Sequence, residues 1–240
     1  MQAEFNFLLN KYIAHRGLHN KENPENTIGA YKRAIEQGYA IELDVQLLLD
    51  GTVVVIHDNS LNRLCGIDKY LSNCTYEEIK ELKILDSEFG IPTLQEVLKF
   101  VDGKTQLLIE IKNTLKVGEL ESKTYDILKD YNGEYAIQSF NPFSLEWFKK
   151  NAPNVLRGQL SSFFKGENLS WYKKALLKRL KLNKISSPHF ISYNAEDLPN
   201  KYVKRCNLPV LAWTIKSQEE YMKVIKYCDN IIFENFEPSI

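Results

Sequence analysis

Short runs of β-branched and apolar residues alternate along this chain with longer stretches of helical periodicity, and no other feature restricts its fold as tightly. The strand-like runs are Tyr12 to His15, Ala40 to Val45, Val53 to His57, Gln106 to Lys112, Tyr135 to Ser139, Val155 to Leu160, Phe190 to Tyr193, Val210 to Ile215 and Asn230 to Phe233. Helical patterns cover Thr27 to Gln37, Thr75 to Leu82, Thr93 to Val101, Val117 to Tyr131, Pro142 to Asn151, Leu169 to Lys181, Lys201 to Cys206 and Ser217 to Cys228. Thr27, Thr93 and Ser217 suit N-caps, and Pro142 suits a first helical turn, where its missing N–H costs nothing.

Such alternation predicts an α/β fold with a parallel sheet and crossover helices. Eight units would close into a TIM (β/α)8 barrel of about this length; a doubly wound open sheet is the competing architecture. Between Asp44 and Val53 there is no room for a crossover helix, and Asp50-Gly51 is a tight-turn signal. The second and third strands are therefore expected to join by an irregular, hairpin-like connection. Nine strand candidates also exceed by one what a closed barrel needs, so one should be peripheral. No linker or low-complexity tract divides the chain, and residues 1–240 read as a single domain.

Composition narrows the function. Lys and Arg number 31 against 31 Asp and Glu, which argues against a dedicated nucleic-acid binder. The apolar runs fall far short of the ~20 residues that span a bilayer, so stable membrane insertion is not expected. The opening MQAEFNFLLNKYIAHRG lacks the basic region and long apolar core of a secretion signal. Cys65, Cys74, Cys206 and Cys228 have no CxxC spacing and read as reduced thiols, giving the cytoplasm as the expected compartment.

The residues that can do chemistry gather at strand ends. His15-Arg16-Gly17 ends the first strand, Glu42 and Asp44 lie near the end of the second, His57-Asp58 ends the third, and Glu110 with Lys112 closes the next long one. Residues two apart on a strand share a face, so Glu42 projects with Asp44 and Glu110 with Lys112. In a parallel barrel the C-terminal strand ends meet at one mouth. A carboxylate in an apolar strand such as AIELDV or LLIEIK is costly unless it is paired or binds a cation. Taken singly, each histidine could be a satisfied polar residue and each carboxylate half of a salt bridge. Two histidines and three carboxylates at successive strand ends are hard to read as coincidental salt bridging.

In order and spacing, HRG at 15–17, PENT at 24–27, IELDV at 41–45, DGTVVVIHD at 50–58, IPTLQEVL at 91–98 and IEIK at 109–112 resemble the glycerophosphodiester phosphodiesterase family. Weaker echoes are QSFNPFSL at 138–145, RGQL at 157–160 and LAWTIKS at 211–217. The resemblance implies a TIM barrel with a divalent cation, calcium or magnesium, held by Glu42, Asp44 and Glu110. It implies His15 and His57 as the acid/base pair, Arg16 and Lys112 as phosphate-stabilising cations, and Glu25 and Asn26 as part of the site loop, with Glu25 either on the metal or shaping the loop. The implied substrate is a small glycerophosphodiester, cleaved to glycerol 3-phosphate and an alcohol. Near alternatives are lysophospholipase D or phospholipase C-like activity on the same barrel, and a more distant one is a catalytically weak phosphate-ester-binding protein. The roles are chemically coherent: oxygen ligands suit a hard cation, Arg16 offers a planar donor fork to phosphate, and imidazoles titrate near neutrality.

Some positions stay open. Glu234 and Asn235 stand where the family has Thr and Asp, which leaves the role of that loop in doubt. Leu47, Leu48 and Leu49 could pack under the hairpin or line a lipid-facing mouth. Trp213 and Phe140 could be core aromatics or a wall for the substrate's alcohol portion. The basic stretch at 171–184 reads mainly as a solvated amphipathic helix, with a membrane-surface role as the other possibility. His19 and His189 show no partner pattern, and the segment from Asp58 to Pro92 has room for only a short excursion.

Overall fold

Inter-strand hydrogen bonds close eight parallel strands into a ring in this computed structural model, which describes residues 8–113 and 116–239. Residues 1–7 of the N-terminal stretch read above lie outside that description. The strands are β1 (Ile13–Ala14), β2 (Ala40–Leu47), β3 (Val53–Val55), β4 (Leu107–Ile111), β5 (Tyr135–Ser139), β6 (Leu156–Ser161), β7 (Phe190–Asn194), β8 (Val210–Ile215) and β9 (Asn230–Phe233). All but β3 are parallel neighbours in chain order, and β9 pairs back onto β1. The architecture is the expected TIM barrel. Its crossover helices are α1 (Ile28–Glu36), α2 (Leu94–Val101), α3 (Glu119–Leu128), α4 (Pro142–Asn151), α5 (Trp171–Lys178), α6 (Lys201–Lys204) and α7 (Gln218–Val224), with single helical turns elsewhere.

The helix starts follow their side chains. Thr27 Oγ1 accepts from the Ala30 N–H, Thr93 and Glu96 form a reciprocal capping box, Ser217 accepts from Glu220, and Pro142 occupies the first turn of α4. Several helices are shorter than their periodicity suggested. The Leu169 to Lys181 pattern yields only Trp171–Lys178, because Leu180 takes a left-handed φ of 55°. The Val117 start moves to Glu119 behind Gly118, whose φ of 133° no helix accommodates.

The third strand candidate is the peripheral one, joined to the second by the expected hairpin. β3 runs antiparallel to β2, pairing Val45 with Val55 and Leu47 with Val53, so it is the supernumerary strand and not a barrel stave. β2 overshoots the mouth, turns at Asp50-Gly51 and returns beside itself, with the Ile56 N–H donating to the Asp44 carbonyl. His57 reaches the rim by that return. Beyond it, the expected short excursion is a lobe with its own apolar cluster, in which Ile56, Leu61, Leu64, Leu71, Ile79 and Ile91 pack on Leu48 and Val54. Leu48 thus packs under the hairpin, whereas Leu49 is 66% exposed.

Alternation along the staves divides the core. Ile41, Leu43 and Val45 of β2 pack outward with Leu94, Val97 and Leu98 of α2, while Ala40, Glu42, Asp44 and Gln46 take the interior positions. The barrel floor is apolar: Ile13, Leu108, Ala136, Phe190, Leu211 and Ile232 form one buried cluster with Leu8 and Ala40. Towards the C-terminal rim the buried residues become polar, with Glu42, Asp44, Glu110, Gln138 and Ser192. Gly158 makes the floor possible, since a Cβ there would stand 2.1 Å from the Phe190 ring. Replacing Gly158 by Ala forces that fully buried ring off its rotamer. A destabilisation of about 1–3 kcal/mol is expected, read as a lower urea midpoint at unchanged slope.

Candidate active site

The HRG segment leaves β1 through two consecutive left-handed residues, Arg16 at φ 55° and Gly17 at φ 80°. A Cβ on Gly17 would lie 2.9 Å from both Ala30 and Tyr31 of α1, so the turn needs glycine on both counts. The turn aims the Arg16 backbone N–H at Glu42 Oε2 (3.0 Å) and sets its guanidinium Nε 3.3 Å from Asp44. Asn26, also left-handed, donates from Nδ2 to Asp44 Oδ2 at 2.9 Å and accepts from the buried Tyr31 hydroxyl at 3.0 Å.

Glu42, Asp44 and Glu110 converge: each presents a carboxylate oxygen, and these oxygens lie within 4.8 Å of one another. All three residues are buried. Lys112 Nζ sits 3.1 Å from Glu110 and 3.4 Å from Asp44. Burial acts on all three carboxyls but resolves differently. It pushes Glu42 well above the ordinary carboxylate range, reinforced by Asp44 and Glu110, and it raises Glu110 with help from Asp44. For Asp44 burial is outweighed by Lys112 and Arg16, which hold the carboxyl far below its usual range.

Two imidazoles flank this cluster. His15 Nε2 stands 4.0 Å from Glu42, and its Nδ1 shares a 2.5 Å hydrogen bond with Glu234. Glu234 also meets Lys216 at 3.1 Å and His19 at 3.8 Å. Across the mouth, His57 Nδ1 bonds Asp58 at 2.8 Å. Burial lowers both histidines from their ordinary value, against the upward pull of Glu234 on His15 and of Asp44 on His57. Each imidazole therefore has one nitrogen held by a carboxylate, the arrangement that fixes tautomer and ring orientation.

The sequence-predicted residues meet in one cavity of about 360 Å³, lined by His15, Arg16, Glu42, His57, Glu110 and Lys112, with Asp44 buried directly behind. Phe140 and Trp213 line the same cavity, their rings edge-on at 5.5 Å. Glu25 does not join the carboxylate cluster; it pairs at 2.7 Å with both Arg16 and Arg63, so it shapes the loop. Sequence reasoning undervalued Glu234, Asp58, Arg63 and His19. Glu234 directly follows β9 and Asp58 directly follows His57, so the strand-end logic that found the others reaches them too. His189 is also partnered, accepting at Nδ1 from the Arg157 N–H at 3.0 Å, which makes it a structural residue far from this chemistry.

A divalent cation fits the cluster. The donors are all oxygen, the choice of hard cations. Asp44 Oδ1 is a buried carboxylate oxygen with no hydrogen-bond donor, its closest cation being Lys112. With all three carboxylates ionised, as a bound cation would keep them, Arg16 and Lys112 would leave one negative charge in excess. A divalent ion would turn this into one positive charge, matching the single negative charge of a phosphodiester.

The outer pair is open to test through acid stability. A hydrogen bond from Arg63, with the one to His57, lowers Asp58 from 3.8 to about 2. Folded Asp58 stays ionised where unfolded Asp58 is protonated, so its contribution is complete above about pH 4 and lost as pH falls towards 2. Arg63→Ala should make the fall in unfolding free energy across that window shallower than in the parent chain, as measured by denaturant titration at each pH.

Comparison with known proteins agrees with the geometry. The model of the glycerophosphoryl diester phosphodiesterase family matches residues 15–235. A glycerophosphodiester phosphodiesterase of Caldanaerobacter subterraneus subsp. tengcongensis is 36% identical, with 95% of each chain covered. The crystal structure of a Thermotoga maritima glycerophosphodiester phosphodiesterase superposes with a TM-score of 0.71 at 28% identity, covering 93% of this chain and 94% of that one. An Oleispira antarctica phosphodiesterase, solved with its product sn-glycerol-3-phosphate, gives a TM-score of 0.78 at 24% identity over 96% and 94% of the two chains. With a family match that spans the mouth residues from His15 to Glu234, this chain belongs to the glycerophosphoryl diester phosphodiesterase family.

Proposed function

We infer that the chain is a single phosphodiesterase unit that hydrolyses glycerophosphodiesters to glycerol 3-phosphate and an alcohol. The observation that carries this reading is the convergence of Glu42, Asp44 and Glu110 within 4.8 Å, flanked by His15 and His57. The 36% identity to a glycerophosphodiester phosphodiesterase over nearly the whole chain supports the substrate class. Four free cysteines support a reducing compartment such as the cytoplasm.

Glu42, Asp44 and Glu110 would hold calcium or magnesium, which supplies Lewis-acid polarisation of a phosphoryl oxygen. The remaining work falls to the protein's own groups. Arg16 and Lys112 face the cavity as fixed cations and bind the phosphate oxygens as charge builds on them. One imidazole takes the proton of the attacking hydroxyl and the other donates a proton to the departing alkoxide. Attack by water gives glycerol 3-phosphate directly, whereas attack by the substrate's own glycerol hydroxyl gives a cyclic phosphate that a water, deprotonated in the same way, then opens to glycerol 3-phosphate. Glu234 and Asp58 hold the Nδ1 atoms, leaving Nε2 of each ring for these transfers. Phe140 and Trp213 form an apolar wall for the glycerol or alcohol portion.

Turnover of a glycerophosphodiester panel with and without EDTA tests the reading. Chelation should abolish hydrolysis, and Glu42→Gln or Glu110→Gln should cut it by roughly 10³-fold or more while weakening divalent-cation affinity. His57→Ala should lose roughly 10²–10⁴-fold with cation affinity retained. Hydrolysis that survives excess chelator would overturn the metal assignment; cation binding without turnover of any member of the panel would favour a phosphate-ester-binding protein.

Glu234 gives a separate expectation. Glu234→Gln should keep the fold and one hydrogen bond but lose the charge that steadies His15, lowering kcat by roughly 10–100-fold with little change in KM. An unaltered kcat would show that His15 needs no such partner.

A further inference from the structure

The helix α5 (Trp171–Lys178) buries none of its side chains, although Trp171, Tyr172, Leu176 and Leu177 make half of it apolar or aromatic. Trp171 is 81% exposed, Tyr172 50% and Leu176 41%. What fixes the helix is its backbone: Ser161 Oγ donates to the Leu177 carbonyl and the Tyr193 hydroxyl to that of Lys178. The helix thus displays aromatic and aliphatic side chains to solvent, beside the exposed cations Lys173, Arg179 and Lys181.

Charge is sharply segregated here. Residues 165–184 hold seven Lys and Arg against one carboxylate, Glu167, whereas the rest of this neutral chain has twenty-four cations against thirty carboxylates. The patch also borders the catalytic mouth. α5 follows the loop after β6, and βα loops surround the C-terminal rim. In that loop buried Phe164 packs edge-on against Phe140 at 6.1 Å, and Phe140 meets Trp213, both of which line the catalytic cavity.

We propose that α5 docks this enzyme on an anionic lipid surface, with Trp171, Tyr172 and Leu176 in the headgroup layer, and presents the mouth to phosphodiesters carried by the membrane. Trp and Tyr rings with an apolar body and a polar edge settle at that depth, and neighbouring Lys and Arg add attraction to anionic headgroups. At eight residues α5 lies on the surface and does not cross it. The lipid-substrate half of the proposal rests on the phosphodiesterase reading; vesicle binding does not, so the two can fail separately.

Flotation of the full chain with phosphatidylcholine vesicles, with or without about one third phosphatidylglycerol, reads the binding directly. The chain should float with the anionic vesicles, not with phosphatidylcholine alone, and should release at roughly 0.5 M salt. Trp171→Ser with Leu176→Ser, and separately Lys173→Glu with Lys181→Glu, should each weaken binding by about tenfold or more. Both pairs should leave hydrolysis of a soluble glycerophosphodiester unchanged and slow hydrolysis of a lysophospholipid embedded in the vesicles. Absence of binding to anionic vesicles at low salt would overturn the proposal. So would variants that float like the parent, or a parent dimer that Trp171→Ser dissociates, which would assign the patch to a second copy of the chain.

Discussion

Three carboxylates buried together at a barrel rim repel one another and lose their hydration, and the whole upper half of this molecule is arranged around that burden. Lys112, the Arg16 backbone N–H and the Asn26 amide donate to these carboxylates, and the Arg16 guanidinium stands beside Asp44 as a second cation. Their compensation is incomplete: Asp44 stays ionised under its cations, while Glu42 and Glu110 are driven towards the protonated form. A fold stabilised only by its own groups would place apolar residues here, as the barrel floor does with Leu108 and Phe190. Here buried Glu42 and Glu110 line an open cavity instead.

The geometry that supports this burden comes from parts with different tasks. Parallel register sets Asp44 beside Glu110, and Glu110 beside Gln138, at the same height on adjacent staves. A left-handed turn at Arg16 and Gly17 carries a cation over the rim, and α1 closes behind it through Tyr31 and Asn26. The β2–β3 hairpin adds the second imidazole from outside the barrel. An outer network of Arg63, Glu25 and Asp58 then ties the hairpin's end to the HRG and PENT segments at distances of 2.6 to 2.8 Å.

Much of this was legible in the letters. Side-chain capping is local, so Thr27, Thr93, Ser217 and Pro142 marked their helices correctly. Period-two alternation placed Glu42 with Asp44 inside the barrel, and strand ends located the mouth. The cap residues could not show where a helix stops when the stop is a backbone turn, as at Leu180, or where the helix face has nothing to bury, as in α5. Periodicity cannot tell a stave from a hairpin arm, and it was the missing crossover helix and the Asp50-Gly51 turn that marked the connection to Val53 as hairpin-like; which of the nine strands was peripheral stayed open. Glu234 stood at a strand end but was weighed only as a departure from a familiar pattern; its partnership with His15 lies across 219 positions of sequence. Ion pairs of that range leave no local trace.

That contact joins the first strand of the barrel to the last. The His15 N–H bonds the Phe233 carbonyl in the β1–β9 seam, and one residue further on the Glu234 carboxylate takes hold of the His15 ring. The orientation of the His15 ring is therefore tied to the pairing of the C-terminal stave with the N-terminal one. A chain with that seam open would keep the His57 ring on Asp58 but would leave the His15 ring without its carboxylate. The setting of that ring is in this sense a report that the circle has closed.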